Sequence, residues 1–269
     1  MIPNFSFEVI ELSLRGTLGV SVLDTGSGRK SGWLEDDRFP LNSTFKFLLA
    51  GAVLMEADGG REDLERRVEV HRKDLLPWSP VTETAVGTTM SVADLCAAAM
   101  TRSDNAAANL LLAQLGGPKA LTATLRGLGD VVTRIDRLEP EINNVAPGDP
   151  RDTTTPASMI SHLKGFLLEP RLKARSRSLM LDWMVANTTG DARIRAGVPP
   201  GWTVGDRTGS GPRGETSDIA IVLPPDRAPM LMAVYIAGTE RTNAESSARH
   251  AELARIATSN LALPPHDLD

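Results

Sequence analysis

The sequence predicts an α/β protein of the α+β kind, with one antiparallel sheet built from both chain ends, helices flanking it, and an all-helical lobe from the middle. Three observations lead there. Strand-like runs lie at 17–24 and again at 202–207, 216–223 and 230–236, whereas 42–187 reads as helix and loop. The two β regions flank the helical middle, so they are expected to join in one sheet covered by terminal helices. At 269 residues and 41% hydrophobic content the chain is globular and near the limit of a single core. One large domain or two intimately packed lobes both fit, with a sheet lobe over 1–40 and 188–269 and a helical lobe over 41–187 that includes a loop at 136–155.

The elements follow in order. Thr17-Leu-Gly-Val-Ser-Val-Leu-Asp24 alternates in part and ends in Thr-Gly-Ser-Gly, a strand and turn, with a second strand expected around 32–34. Residues 43–55 are apolar on most faces, as in a helix buried all round. Ser91-Val-Ala-Asp94 has the spacing of a capping box and opens a helix toward Met100. A helix over 105–115 stops at Gly116-Gly117, where the missing Cβ relieves the strain of a left-handed turn. Thr155-Pro156 supplies a cap and a first-turn proline for the next helix. After the three C-terminal strands, 243–261 closes the chain as a helix. The chain has no internal repeats and no low-complexity tracts.

Composition excludes several classes of partner. A net charge of −5 with scattered arginines gives no basic footprint for nucleic acid. No apolar stretch has the length to cross a bilayer, and Met-Ile-Pro-Asn-Phe at the start lacks a basic region followed by an apolar run. The expectation is therefore a soluble chain without an export signal. The single cysteine, Cys96, forbids an intramolecular disulfide, and its alanine and leucine neighbours mark it as a buried thiol. His250-Ala-Glu252 has no Cys or His partner at ligand spacing, so metal-free, cofactor-free chemistry is expected.

The most informative stretch runs from Glu139 to Thr155. Prolines at 140, 147 and 150 with Gly148 exclude a continuous helix, while Asp136, Arg137, Asp149, Arg151 and Asp152 can hold a compact loop by ion pairing. One helical turn at Ile142 would bring Glu139 and Asn143 together, and such a pair can hold a water molecule. A polar surface loop is the plainer alternative.

Ser43-Thr-Phe-Lys46 places a hydroxyl and an amine on one face at a helix start, where free N–H groups can stabilise an oxyanion. Ser27-Gly-Arg-Lys30 and Ser161-His-Leu-Lys164 share that spacing, but only Lys46 lies in an almost wholly apolar helix, where burial favours the neutral amine. Ser103-Asp104-Asn105 lies between two helices and also suits a simple cap. Arg207-Thr208-Gly209 ends a strand and also suits an ordinary hairpin turn. Gly209-Ser-Gly-Pro-Arg-Gly214 matches a nucleotide-binding pattern, but a strand follows it where phosphate binding needs a helix N-terminus.

Ser-x-x-Lys, Ser-Asp-Asn, Glu-x-x-x-Asn and a basic residue-Thr-Gly occur in this order, each at an element boundary. Together they resemble the active site of the class A serine β-lactamases. The resemblance runs from about Asp24 to at least Gly238, through Phe39-Pro, Ser79-Pro-Val-Thr, Asp136-Arg-Leu-Glu-Pro, Arg151-Asp-Thr-Thr-Thr-Pro and Gly201-Trp. It implies a fold like that of serine β-lactamases and penicillin-binding proteins, with the site between the lobes and a β-lactam as substrate. It implies Ser43 as acylated nucleophile, Lys46 as its proton partner, and Glu139 with Asn143 as holders of the hydrolytic water. Ser103 would pass a proton to the lactam nitrogen, Asn105 would bind the acylamino group, and the oxyanion hole would be the N–H groups of Ser43 and Ser210. Arg207 and Thr208 would fix the substrate carboxylate, and Trp78 would be either an aromatic cleft wall or a core tryptophan.

Arg207 replaces the usual lysine, which resembles the carbenicillin-hydrolysing subgroup, and Thr216 stands where many members carry an arginine. Arg193 is the candidate replacement for that charge. Ala50 stands where some relatives have a disulfide partner for Cys96. The resemblance also implies a monomer, a periplasmic or secreted location and a cis Glu139-Pro140 bond, while the loop's own charges point to an Arg137–Asp152 pair. A D,D-peptidase or a sensor that stays acylated is the competing reading, and the Glu139 and Asn143 loop disfavours both.

Overall fold

Antiparallel pairing of distant segments sets the architecture. The computed structural model describes residues 4–261; the outermost parts of the expected sheet lobe, 1–3 and 262–269, with the first residues of the N-terminal reading, lie outside them. Helix α1 (Asn4–Leu14) leads into β1 (Thr17–Asp24), β2 (Lys30–Trp33) and the short β3 (Phe39–Pro40). A 3-10 turn at Asn42–Thr44 starts α2 (Phe45–Asp58), followed by β4 (Arg67–Glu69), β5 (Thr89–Ser91), α3 (Val92–Arg102), α4 (Asn105–Leu115) and α5 (Pro118–Gly127). The remainder is β6 (Thr153–Thr154), α6 (Pro156–Leu167), α7 (Ala174–Val185), α8 (Ile194–Gly197), β7 (Thr203–Ser210), β8 (Thr216–Leu223), β9 (Met230–Ala237) and α9 (Asn243–Leu261).

The main sheet has the order β2-β1-β9-β8-β7, with every neighbour antiparallel. β1 pairs with β9 from Thr17 opposite Ala237 to Asp24 opposite Met230, joining the two chain ends. Side chains alternate between two cores, as a pleated strand requires. Ala220, Val222, Met232 and Val234 pack with Phe7 and Ile10 of α1 and Leu253 of α9. Ile219, Ile221, Leu231 and Ala233 pack on the other face with the helical region. Helices on both faces explain why β8 and β9 are buried almost without interruption.

Helix α2 is buried from Phe45 through Leu54, so it is apolar all round because protein surrounds it. At Gly51 a Cβ would come within 2.6 Å of the Phe166 ring, so glycine lets α6 pack against it. Ser91 caps α3 in a two-way box with Asp94, and Thr155 caps α6. Cys96 is a free, buried thiol, as its neighbours predict.

The structure moves three expected boundaries. The helix begins with a 3-10 turn, β2 starts at Lys30, and β7 extends three residues further, to Ser210. The two small ladders, β3 with β6 and β4 with β5, carry two or three residues per strand and so show no readable period.

The β3–β6 ladder closes the base of the loop at 136–155, helped by Leu41 N–H to Asp152 O (2.9 Å). Asp152 is fully buried with φ 56°, and its Oδ1 accepts the N–H groups of Asp136 (2.7 Å) and Arg137 (3.0 Å). Its Oδ2 pairs with Arg137 Nε at 2.5 Å, the ion pair expected from sequence. Removing this carboxylate strands one guanidinium and two amides. Asp152→Ala should therefore lower unfolding free energy by about 2–4 kcal/mol, measured by urea denaturation. Wild-type stability in that variant would show that the loop is locked elsewhere.

Candidate active site

Three backbone devices deliver the predicted residues to one cleft of about 440 Å³. The turn at Asn42–Thr44 presents Ser43 at the mouth of α2, and one turn on, Lys46 points back beneath it. The C-cap of α3 is Ser103 in the left-handed region (φ 58°), which turns the chain so that Ser103 and Asn105 both face Ser43. In the loop, the Glu139–Pro140 peptide is cis, as the resemblance implies, and a 3-10 turn at Glu141–Asn143 folds Asn143 back onto Glu139.

Lys46 is the hub. Its Nζ lies 3.1 Å from Ser43 Oγ, 3.0 Å from Glu139 Oε1, 2.6 Å from Asn105 Oδ1, 2.9 Å from Ser103 O and 3.3 Å from Ser103 Oγ. Carboxylate, amide oxygen and carbonyl are obligate acceptors here, so the amine must supply all three of its protons as an ammonium. Complete burial lowers its pKa to about 8, opposed by the Glu139 carboxylate and reinforced by nearby Arg207.

Glu139 is buried, with Oε1 3.4 Å from Ser43 Oγ and Oε2 2.5 Å from Asn143 Nδ2. Asn143 Oδ1 is buried and has no protein partner, so an acceptor remains beside the carboxylate. Asn109 of α4 clamps the Glu139 backbone in both directions, N–H to Oδ1 at 3.0 Å and Nδ2 to O at 2.9 Å. Sequence reading missed Asn109, which lies inside a helix with no motif around it.

Ser103 Oγ accepts from Arg207 Nη2 (2.6 Å) as well as from Lys46. Asn105 spends its oxygen on Lys46 and its Nδ2 on Pro77 O (2.8 Å), so the side chain lines the cleft with its orientation fixed. Asp104 between them caps α4 through Ala107 N–H and binds the Val81 and Thr82 amides. The cap and the site residues thus share one tripeptide. Trp78 is 65% exposed on the cleft wall, its Nε1 bonded to Arg102 O, which removes the core alternative.

Strand β7 forms the opposite wall with Thr208, Gly209 and Ser210. A Cβ on Gly209 would come within 2.9 Å of the Ser43 nitrogen, so glycine allows this strand to approach the Ser43 amide. Arg207 is fully buried and does not line the cleft; burial lowers its pKa to about 10, and its Nε and Nη1 have no protein partner. It acts from behind Ser103 and Thr208, a departure from the direct contact expected. Thr208 Oγ1 meets Thr189 Oγ1 at 2.5 Å, and Thr189 and Asn243, absent from the sequence reading, close the far end.

Thr216 is buried and pairs with His250 Nε2 at 3.1 Å; burial and nearby Arg193 push that imidazole well below its usual pKa. Arg193 enters the cleft instead, its Nη1 donating to the Gly209 and Ser217 carbonyls and its Nη2 to Ser210 Oγ, each at 2.7 Å. Asp218 lies close enough to favour its charge.

Serine, buried lysine and a loop carboxylate within hydrogen-bond reach define a serine acyl-transfer hydrolase. Residues 8–261 match the model of the Beta-lactamase enzyme family, and the chain belongs to that family. Among solved structures, the last common ancestor of Gram-negative bacteria β-lactamase class A is 53% identical, with 96% of this chain and 98% of that chain covered and a TM-score of 0.94. A second ancestral class A β-lactamase is 52% identical, covering 95% and 98%, also at TM-score 0.94. A β lactamase from Xanthomonas campestris pv. campestris is 45% identical, covering 96% and 97% with TM-score 0.94. The protein is a class A β-lactamase, a hydrolase of β-lactams.

Because the acceptor cage requires an ammonium, loss of the Lys46 proton dismantles it. Penicillin kcat/KM should fall on the alkaline side with a midpoint near the Lys46 pKa of about 8, read from initial rates between neutral and alkaline pH. A rate that rises through that midpoint would make the neutral amine the working form.

Proposed function

We propose that the enzyme hydrolyses penicillins, carbenicillin among them, through an ester on Ser43 that Glu139 helps water to cleave, and that it confers antibiotic resistance. The observation that carries this reading is the Glu139 carboxylate, which reaches Ser43, Lys46 and Asn143 at once. In acylation, Ser43 Oγ bonds to the lactam carbonyl carbon and the C–N bond breaks. The Ser43 proton is taken by Glu139, directly or through water, because Lys46 already carries its own. Ser103 gives its proton to the leaving nitrogen and is reprotonated by Lys46, 3.3 Å away, which takes the Ser43 proton back from Glu139 at 3.0 Å, so that Glu139 is a carboxylate again before deacylation.

In deacylation, water held by Glu139 and Asn143 bonds to the acyl carbon, the ester C–O bond breaks, and the proton returns to Ser43 Oγ. The N–H groups of Ser43 and Ser210 serve as the oxyanion hole, with Gly209 setting their approach. Thr208, Ser210 and Arg193 take the substrate carboxylate in the field of Arg207, while Asn105 and Trp78 face the acylamino side chain. Arg207 in place of lysine supports the carbenicillin-hydrolysing subgroup, with faster turnover of carbenicillin than of oxyimino-cephalosporins. The sheet lobe at 1–40 and 188–269 and the helical lobe at 41–187 then meet at the cleft. The location typical of the family, periplasmic or secreted, and a monomeric state complete the reading. Among the described residues no helix is long and apolar enough to cross a membrane.

Glu139→Ala should slow deacylation by about 10³-fold, more than it slows acylation, and so trap a benzylpenicillin adduct on Ser43, seen by intact mass, while the wild type shows rapid turnover and no adduct. A stable adduct on the wild type would identify a penicillin-binding or sensing protein instead. Arg193 also holds two carbonyls, so Arg193→Lys is the cleaner probe of carboxylate binding. The penicillin KM should rise about tenfold with kcat within about threefold, and an unchanged KM would remove Arg193 from substrate binding.

A further inference from the structure

The β7–β8 turn carries a side chain that the mechanism above does not use. Arg213 reaches from this turn to the loop that holds Glu139 and Asn143, donating from Nη1 to Val145 O (2.9 Å) and from Nη2 to Asn144 Oδ1 (2.7 Å). Those two residues directly follow Asn143. The base of the arginine is fixed on the sheet. Its own N–H donates to Glu215 Oε2 (2.6 Å), and Gly211 N–H donates to Glu215 O (2.9 Å). Gly214, at φ 77°, lies so close to Thr239 that a Cβ would come within 2.1 Å of its carbonyl oxygen.

Val145 is buried, but the residues that follow it leave space against the sheet. A cavity of about 320 Å³ lies between Val145–Pro150 on one side and Thr17, Phe39 and Ala237 on the other. The loop's other limb reaches the same point, since Arg137 Nη1 donates to Asn144 O at 2.9 Å. Asn144 is therefore gripped from both sides, by the loop's own ion-paired arginine and by an arginine from the strand pair that forms the opposite wall of the cleft.

We propose that Arg213 is a positioning residue for deacylation, a strut that fixes Asn143 over the acyl group by tying Asn144 and Val145 to the β7–β8 turn. This rests on the reading that Glu139 and Asn143 hold the hydrolytic water. Acylation depends on Ser43, Lys46, Ser103 and the Glu139 carboxylate, which Asn109 and Lys46 hold without the strut, so loss of Arg213 falls mainly on Asn143 and on deacylation. The guanidinium is exposed and its acceptors are uncharged, which keeps the effect moderate and nearly independent of salt.

The test compares wild type, Arg213→Ala, Arg213→Lys and Glu139→Ala with benzylpenicillin. Amide exchange over 142–146, read by mass spectrometry, reports the strut itself. Rapid-quench rates of adduct formation and decay report its consequence. Arg213→Ala should speed exchange over 142–146 and slow deacylation, each by about fivefold, with acylation within about twofold and little change in Tm. Arg213→Lys, able to donate to one carbonyl, should recover part of both. Unchanged exchange, unchanged deacylation, or a parallel loss of both half-reactions with a lowered Tm would each overturn the proposal. Glu139→Ala keeps the two ideas apart. If it fails to trap the adduct, the deacylation reading falls, and exchange in Arg213→Ala still decides whether the strut exists.

Discussion

A buried ammonium that cannot be left without acceptors constrains the rest of this structure. Lys46 is fully enclosed in an otherwise apolar helix, where an uncompensated charge would be strongly unfavourable. Its acceptors come from the 3-10 turn before α2, the α3–α4 junction and the loop at 136–155. Each must be held in place for the lysine to remain charged. The Asn109 clamp on Glu139, the Asp104 cap that fixes Asn105 and the Arg137–Asp152 lock are answers to that one demand. They also leave Ser43 beside a carboxylate already positioned for proton transfer.

Two positive groups lie close together behind the cleft, and a hydroxyl mediates between them. Ser103 Oγ accepts from both Lys46 and Arg207; burial lowers the pKa of each, and nearby Arg207 lowers that of Lys46 further. Negative charge balances them from opposite sides, Glu139 on the helical side and Asp206 and Asp218 on the sheet side. Asp206 is itself bound to Arg195 (2.7 Å), and Asp218 to the Ile194 amide (3.0 Å). Both carboxyls are fully buried beneath β7, and burial drives them upward in pKa. The positions of Lys46 and Arg207 are thus set before any substrate arrives.

Much of this was legible in the sequence because the relevant signals are local. The strand-like runs at 216–223 and 230–236, the Ser91 capping box, the stop at Gly116 and the ordered motifs each occupy a few neighbouring residues. What stayed hidden depends on partners far along the chain. Asn109 is an ordinary helical residue until Glu139, thirty positions on, meets it. Thr189 and Asn243 join the cleft only through the packing of loop and helix ends. The retreat of Arg207 behind Ser103 depends on how β7, an edge strand, packs against the α3–α4 junction, which no spacing encodes. The 3-10 start of α2 and the two-residue ladders fell below the length at which periodicity can be read.

Backbone strain gathers where the chemistry is. Of the six non-glycine residues with positive φ among those described, Asn42, Trp78, Ser103 and Asp152 adjoin the cleft or the loop that serves it, while Arg15 and Leu34 lie in turns beside β1 and β2. Such conformations cost about 1–2 kcal/mol apiece and persist only where surroundings over-determine them. Here the surroundings are named: β7 against Asn42, the Arg102 carbonyl on the Trp78 indole, two cations on Ser103, and two amides with a guanidinium on Asp152. Relaxing any of them toward ordinary backbone angles would swing an acceptor or a wall away from Lys46 or Ser43. The strain is thus the local consequence of making chain segments from three separate regions converge on one ammonium, and the two apolar cores around the sheet and α2 are what allow the fold to sustain it.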